Sequence, residues 1–189
     1  KPVNAKNHAT TVFYGDELAV DGGFESGVTA TDNTNDAWTD ESVRGAMNLT
    51  IAHATDNPRS GDDSAKITLA DTTGNIAYMR NDYVIGRSYR VEIYMKKNGT
   101  GSNDSITAFQ AFASTSFTGE DNGGTAITPT TSYQIAYTEF VASATTMYTH
   151  FKATGTNTHF GYVDDFSIKE IGTASGWTDA DQQLDIPQT

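Results

Sequence analysis

Two short segments near opposite ends of the sequence combine carboxylates with aromatic residues. The first is Asp21-Gly22-Gly23-Phe24-Glu25-Ser26-Gly27, and the second is Tyr162-Val163-Asp164-Asp165-Phe166-Ser167-Ile168. Each lies where a strand is predicted to begin or end. If the two segments pair in one sheet, their carboxylates meet, and carboxylates that meet in a poorly solvated place require a cation. The sequence therefore predicts a cation that joins the two ends of one domain.

Catalytic chemistry finds little support in the remaining residue types. No metal-binding spacing is present among the four histidines, which are His8, His53, His150 and His159. The chain has no Gly-x-Ser-x-Gly elbow, no phosphate-binding glycine loop and no cysteine. Carboxylate pairs of the kind that glycosidases use could be drawn from Asp62, Asp63, Glu120 and Glu139, but 24 acidic residues produce such pairs by chance. The sequence predicts a protein that is not an enzyme.

Aromatic side chains are the third chemical feature, because a sugar site needs a ring to stack on a pyranose and polar groups to hold the hydroxyls. The candidates for ligand binding are Trp38, Tyr78, Arg80, Tyr94, Phe109 and Gln110. Tyr94 has the best argument, since it alternates with an apolar stripe and so faces away from the predicted core. Core packing or plain surface exposure is the stronger interpretation for each ring. With only two tryptophans in the chain, a tryptophan-rich cleft is excluded.

These residues fall on a succession of predicted strands. The clearest is 89–96, where Tyr89, Val91, Ile93 and Met95 alternate with polar or larger side chains. Further strands are predicted at 17–25, 48–52, 64–69, 76–80, 106–113, 133–141, 148–153 and 160–170. No amphipathic helix of three turns is found between them. The pattern predicts an all-β fold, an antiparallel two-sheet β-sandwich of the jelly-roll type.

Composition narrows the function classes further. The chain has 189 residues and a formal net charge of −12, so it repels phosphate backbones and anionic lipid. Neither nucleic acid nor a membrane surface is therefore expected as a partner. No apolar run approaches the roughly 18 residues that span a bilayer, so no membrane insertion is predicted. Residues 17–171 are predicted to form the sandwich, 1–16 an N-terminal connector, and 172–189 a linker to a module absent from this chain.

Four motifs in order resemble the carbohydrate-binding modules of families 4, 9 and 22. Asp21–Gly27 matches their Asn-Gly-(Asp/Gly)-Phe-Glu-x-Gly opening, with Asp in place of Asn. Ser60–Lys66 matches a Ser-Gly-x-x-Ser-x-Lys hairpin, and Gly86–Lys96 matches a Gly-x-x-Tyr strand that ends in Lys. Tyr162–Ser167 matches the closing aromatic-hydrophobic-Asp-Asp-hydrophobic-Ser strand. The resemblance covers about 150 of the 189 residues and implies a jelly roll.

The resemblance also implies a structural calcium ion. Its ligands carry over to Glu25 and Asp165, with backbone carbonyls near Asp21 or Gly23 and at Lys66. Calcium takes six to eight oxygen ligands, which carboxylates and carbonyls supply. The alternative interpretation is that Glu25 and Asp165 are solvated at strand ends or accept backbone N–H bonds.

The flanks are similar to segments that border such modules in tailed-phage structural proteins. These segments are Thr10–Glu17 and Gly176–Thr189. The resemblance implies a tail fibre, capsid decoration or other appendage on the virion surface, with other virion proteins, a glycan and further copies of the chain as partners. The alternative is an extracellular accessory carbohydrate-binding module of a polysaccharide-degrading enzyme.

Overall fold

The chain folds into two antiparallel sheets. The computed structural model describes residues 12–28, 37–39, 48–99, 106–117 and 119–173. Its strands are β1 (Val12–Glu17), β2 (Ala37–Thr39), β3 (Leu49–Ala54), β4 (Ser64–Leu69), β5 (Thr73–Arg80), β6 (Ser88–Lys97), β7 (Ala108–Ser114), β8 (Asn122–Gly123), β9 (Gln134–Val141), β10 (Met147–Thr154) and β11 (Phe160–Thr173). The described ranges contain no helix, and hence none that could span a bilayer. The predicted all-β, two-sheet fold is confirmed.

Strand β11 organises the larger sheet. The six-stranded sheet runs β3-β4-β11-β6-β9, with β1 also paired to β11, and the five-stranded sheet runs β2-β5-β10-β7-β8. One edge of β11 pairs first with β4, through Phe160–Val163, and later with β1, through Lys169–Thr173. The stretch Asp164–Ile168 therefore lies between two partner strands on that edge. The backbone groups of this stretch can therefore form hydrogen bonds with the loop that follows β1.

The core lies between the sheets and follows the period-2 pattern of the strands. On β6, the side chains of Tyr89, Val91, Ile93 and Met95 are buried, as the alternation predicts. At one end of the sandwich, Trp38 is surrounded by aromatic rings at centroid distances of 4.9–5.9 Å, those of Phe24, Tyr78, Phe151 and Phe166. Tilted aromatic pairs of this kind each add about 0.5–1.5 kcal/mol beyond the area they bury. This cluster joins the loop after β1 to both sheets.

The N-terminal boundary differs from the prediction. Strand β1 begins at Val12, inside the predicted connector 1–16, and ends at Glu17, where the predicted strand 17–25 was to begin. The chain turns after Glu17, and Asp21 and Phe24 have φ angles of 50° and 59°, in the left-handed region and outside the range of regular extended strand. The rest of the connector and most of the predicted linker, residues 174–189, lie outside the described residues.

Candidate functional site

The two motifs from opposite ends of the sequence meet at β11. The Phe166 N–H donates to the Gly22 carbonyl at 2.8 Å, and the Leu18 N–H donates to the Ile168 carbonyl at 2.8 Å. A Cβ atom at Gly22 would lie 1.9 Å from the Phe166 carbonyl oxygen, so this close approach of two backbones requires glycine. The first motif is thus a turn that docks on β11 rather than a strand. We call this contact, together with residues 56–63, the clasp.

Glu25 binds the third segment of the clasp, which is residues 56–63. Both of its carboxylate oxygens accept the Asp62 N–H at 3.2 Å, and Oε1 also accepts the Asp63 N–H at 3.4 Å. Gly61 has a φ of 63°, and a Cβ atom there would lie 1.9 Å from Glu25 Oε1. The Glu25 carboxylate therefore fills the space that a side chain at Gly61 would need, and it binds the turn through backbone amides.

Asp164 and Asp165 bind the same turn from β11. The buried Asp164 carboxylate accepts the Arg59 N–H at 2.6 Å and the Ser60 N–H at 3.2 Å, and burial raises the pKa of Asp164 above its ordinary value despite these bonds. Asp165 accepts the Ser60 hydroxyl at 2.5 Å and forms an ion pair with the Arg59 guanidinium. The cation that Asp165 contacts in the structure is therefore the Arg59 guanidinium.

The residues predicted to bind calcium lie in the clasp or next to it. Asp21 is engaged, since its carboxylate accepts the N–H groups of Glu25 at 3.0 Å and Ser26 at 2.8 Å. Lys66 lies on β4 with its ammonium 3.8 Å from the Phe160 ring centroid. Among the described residues, no group of three or more acidic or histidine side chains could hold a metal ion. Calcium stays a prediction from the resemblance.

Gly23 completes the predicted calcium set. A Cβ atom there would lie 3.6 Å from the Glu25 side chain, so its backbone is adjacent to that carboxylate. Glu25 and Asp165 both bind residues 59–63, so the two carboxylates lie on the same turn. Their oxygens suit a hard cation in kind, but each already accepts bonds from protein donors.

Two of the predicted ligand-binding rings are part of the core. Trp38 and Tyr78 retain 4% and 1% of their exposure, and their centroids lie 5.3 Å apart in an edge-on pair. A ring that stacks on a sugar must present a free face, so the prediction for these two residues is wrong. Both rings are buried because β2 and β5 place them on the inner face of the five-stranded sheet.

Arg80 and Gln110 are also engaged within the chain. The Arg80 guanidinium bonds to the Asp82 carboxylate and donates to the Leu18 carbonyl, and only 10% of its side chain is exposed. Gln110 donates to the Gly124 carbonyl at 2.6 Å. Phe109, beside it, is fully buried. Arg80 tethers the loop after β1 and Gln110 the segment after β8, so their amide and guanidinium groups are structural.

Tyr94 lies where its alternation predicts, on the outer face of the six-stranded sheet, and the Arg59 guanidinium covers its ring at 3.5 Å. The same face carries further cations close to rings, with Lys66 near Phe160, Arg90 near Tyr137, and Lys96 near both Tyr133 and Tyr162. Contacts of this type are worth about 0.5–1 kcal/mol each at exposed positions. The outer face of this sheet is therefore an ordered surface of rings and charges.

A row of charged residues crosses the same face, and the sequence alone did not reveal it. Strand register places Glu17 opposite Lys169, Lys169 opposite Arg90, and Arg90 opposite Glu139. Arg90 is held by Glu92 at 2.7 Å and by Glu139 at 2.9 Å. We call these residues the charged row. The alternation at 89–96 indicated which β6 side chains face outward, but their partners depend on pairing between distant strands.

The outer face of β10, in the five-stranded sheet, is covered by the chain itself. His150 faces outward on β10, yet it is fully buried, because Ser116 and Phe117 lie against it. Its Nε2 bonds to the Ser116 carbonyl at 3.1 Å, and its ring lies 6.4 Å from that of Phe117. Glu120 pairs with Lys152 at 2.9 Å on the same strand. Burial lowers the pKa of His150 below its ordinary value.

Comparison with solved structures identifies the fold. TmCBM61, solved in complex with β-1,4-galactotriose, superposes with a TM-score of 0.56 at 11% identity, covering 82% of this chain and 98% of that one. The CBM22-1 xylan-binding domain of Xyn10C from Paenibacillus barcinonensis gives 0.59 at 13% identity, covering 85% and 97%. A CBM4 structure gives 0.55 at 15% identity, covering 79% and 97%. Neither protein-family models nor curated proteins give a match to the sequence.

These similarities extend over almost the whole of each module and over most of this chain. At 11–15% identity they establish the fold and not the ligand. The chain has the β-sandwich fold of carbohydrate-binding modules.

Proposed function

We propose that the chain is a non-catalytic, glycan-binding β-sandwich module. The observation that carries the proposal is the similarity of its fold, along nearly their full length, to a module solved in complex with β-1,4-galactotriose and to a xylan-binding domain. The outer face of the six-stranded sheet supports it, because the exposed rings of Tyr14 and Tyr137 lie beside ordered polar groups, the composition that sugar recognition needs.

A glycan array with the isolated chain tests this proposal. We expect binding to one group of related glycans. A heat-denatured sample of the same chain serves as the control for non-specific adhesion. Silence across an array of neutral and acidic glycans would contradict glycan binding and would favour a module that acts as a structural spacer.

We further propose that the module belongs to a virion appendage of a tailed phage, as the flanking segments indicate, where it joins other virion proteins and further copies of the chain outside the host cell. The alternative is an accessory module of a secreted polysaccharide-degrading enzyme. The similarity to a domain of Xyn10C favours that alternative. The reading frame that encodes the chain distinguishes the two, since tail or capsid genes beside it support the first and a fused catalytic domain supports the second.

A further inference from the structure

The outer face of the six-stranded sheet contains a cleft where β1, β11 and β6 lie side by side. It has a volume of about 250 Å³ and is lined by Tyr14, Arg90, Glu92, Ser167 and Lys169. Pockets for drug-sized ligands begin near roughly 300 Å³. The cleft is therefore large enough for a short, compact ligand and too small for a long chain to enter.

Tyr14 provides an aromatic surface at this cleft. It lies on β1, and 53% of its surface is exposed, against 40% for Tyr137 on the same sheet face. Tyr137 is already covered by the Arg90 guanidinium at 3.9 Å. An exposed tyrosine ring binds ligands at a low entropic cost, because two torsion angles define its position.

The polar groups of the cleft are held in place before any ligand arrives. Arg90 is fixed by Glu92 and Glu139, and only 18% of its side chain is exposed. The Ser167 hydroxyl donates to the Glu17 carboxylate at 2.6 Å, and Lys169 lies 3.7 Å from the same carboxylate. Groups that are already ordered lose little entropy on binding, so their hydrogen bonds contribute more fully to affinity.

The charges around the cleft select the class of ligand. Two cations, Arg90 and Lys169, face three carboxylates, those of Glu17, Glu92 and Glu139, so the local charge is −1. The whole chain carries −12. An anionic ligand gains nothing from such a site, whereas hydroxyl groups can donate to the carboxylates and to the Ser167 oxygen and can accept from Arg90 and Lys169.

We propose that this cleft binds one or two rings of a neutral glycan, with Tyr14 stacked on a pyranose face and the charged row bonded to its hydroxyls. This inference rests on the proposed function, because it names the site and the ligand class of a glycan-binding module.

Isothermal titration with β-1,4-galactotriose and with a soluble neutral xylan tests the inference. We expect Tyr14→Ala to weaken binding at least tenfold, Tyr14→Phe to retain most of it, and Glu92→Gln to weaken it severalfold. Phe160→Ala is the matched control, since it removes another ring from the same sheet face. Phe160 lies eleven residues along β11 from Ile171, which pairs with Tyr14, or about 36 Å at roughly 3.3 Å per residue. Thermal melts of each variant verify that it is folded.

The outcomes separate the two proposals. Silence of the wild-type chain towards both probes and towards the array would overturn the proposed function and the cleft together. Binding that Tyr14→Ala leaves unchanged, or that Phe160→Ala weakens equally, would overturn the cleft alone. A preference for uronic-acid glycans over neutral ones would overturn the ligand class.

Discussion

Asp164 and Asp165 are neighbours in sequence, and both bind the turn at residues 59–60. Successive side chains of a regular strand point to opposite faces of the sheet. Here the pairing of β11 with β6 shifts between Asp164 and Ser167, and Asp165 has a φ of 49°. The irregularity turns both carboxylates towards one loop, which is the effect that β-bulges commonly have.

Arg59 is the residue on which the charge balance of this turn depends. Arg59→Met removes the guanidinium from both Asp165 and the Tyr94 ring, and we expect the free energy of unfolding to fall by about 1–2 kcal/mol, from an exposed cation–π contact and a partly exposed ion pair. Urea unfolding measures the change.

Two further variants test the cause. Arg59→Lys keeps the charge and should restore part of the stability. Arg87→Met removes an ion pair with Glu170 that lies at the surface, and its effect should be too small to resolve. Equal losses for Arg59→Met and Arg87→Met would contradict a special role for Arg59.

Calcium is the second prediction at the residue scale. The resemblance predicts that calcium raises the midpoint of thermal unfolding and that EDTA lowers it, because a ligand that binds only the native state stabilises it, by about 2.7 kcal/mol at a hundred times its dissociation constant. Glu25→Gln should abolish the response. Identical midpoints with calcium and with EDTA would refute the site and leave Arg59 as the cation of the clasp.

Among the elements, the segment over the five-stranded sheet has the most distinctive environment. Residues 115–117 and 119–124 lie along β10, and their contacts are polar as well as aromatic, since Glu120 bonds to Lys152 and to Asn75 at 3.2 Å. The segment occupies a sheet face that would otherwise be solvated. A ligand that approaches the sandwich therefore meets open strands on the six-stranded side.

His150 makes the stability of this element depend on pH. Burial lowers the pKa of His150, although the Ser116 carbonyl and the Glu120 and Asp121 carboxylates act in the opposite direction. The unfolded chain then binds a proton more readily than the fold does. The stabilisation is complete above the ordinary histidine pKa of about 6.5 and is lost as the pH falls through that value towards the folded pKa.

Denaturant unfolding at a series of pH values between 7 and 5 measures this loss. We expect His150→Gln to flatten the profile over that interval, because glutamine can still donate to the Ser116 carbonyl and does not titrate. A profile of the same slope in the variant would show that other groups cause the dependence.

For the whole molecule, the two sheets have different roles. In the five-stranded sheet the outer face of β10 is covered by the chain itself, whereas the six-stranded sheet presents the charged row, the Tyr14 cleft and the rings beside Arg59 and Lys96. The net charge of −12 surrounds this face with a field that disfavours acidic partners. A neutral polymer rich in hydroxyl groups is compatible both with the residues of this face and with the negative charge of the chain.

Much of the fold was predictable from local pattern. The alternation at 89–96 and the strands predicted at 64–69 and 148–153 correspond to β6, β4 and β10, because a half-buried strand must alternate its side chains. The segment 17–25 was mistaken for a strand, since its apolar residues gave no sign of the left-handed angles at Asp21 and Phe24. Backbone turns of that kind leave little trace in hydropathy.

The sequence by itself determined the class of fold and most strand positions, because each follows from residues close together in the chain. It pointed to a meeting of the Asp21–Gly27 and Tyr162–Ile168 motifs only through the resemblance to known modules. Only the tertiary structure decided that Trp38 and Tyr78 are core residues and that Glu17, Lys169, Arg90 and Glu139 form one row. The alternation of apolar and polar residues in the sequence shows that a strand has two different faces. Which face is buried, and which residues lie opposite each other, depends on pairing between strands distant in sequence.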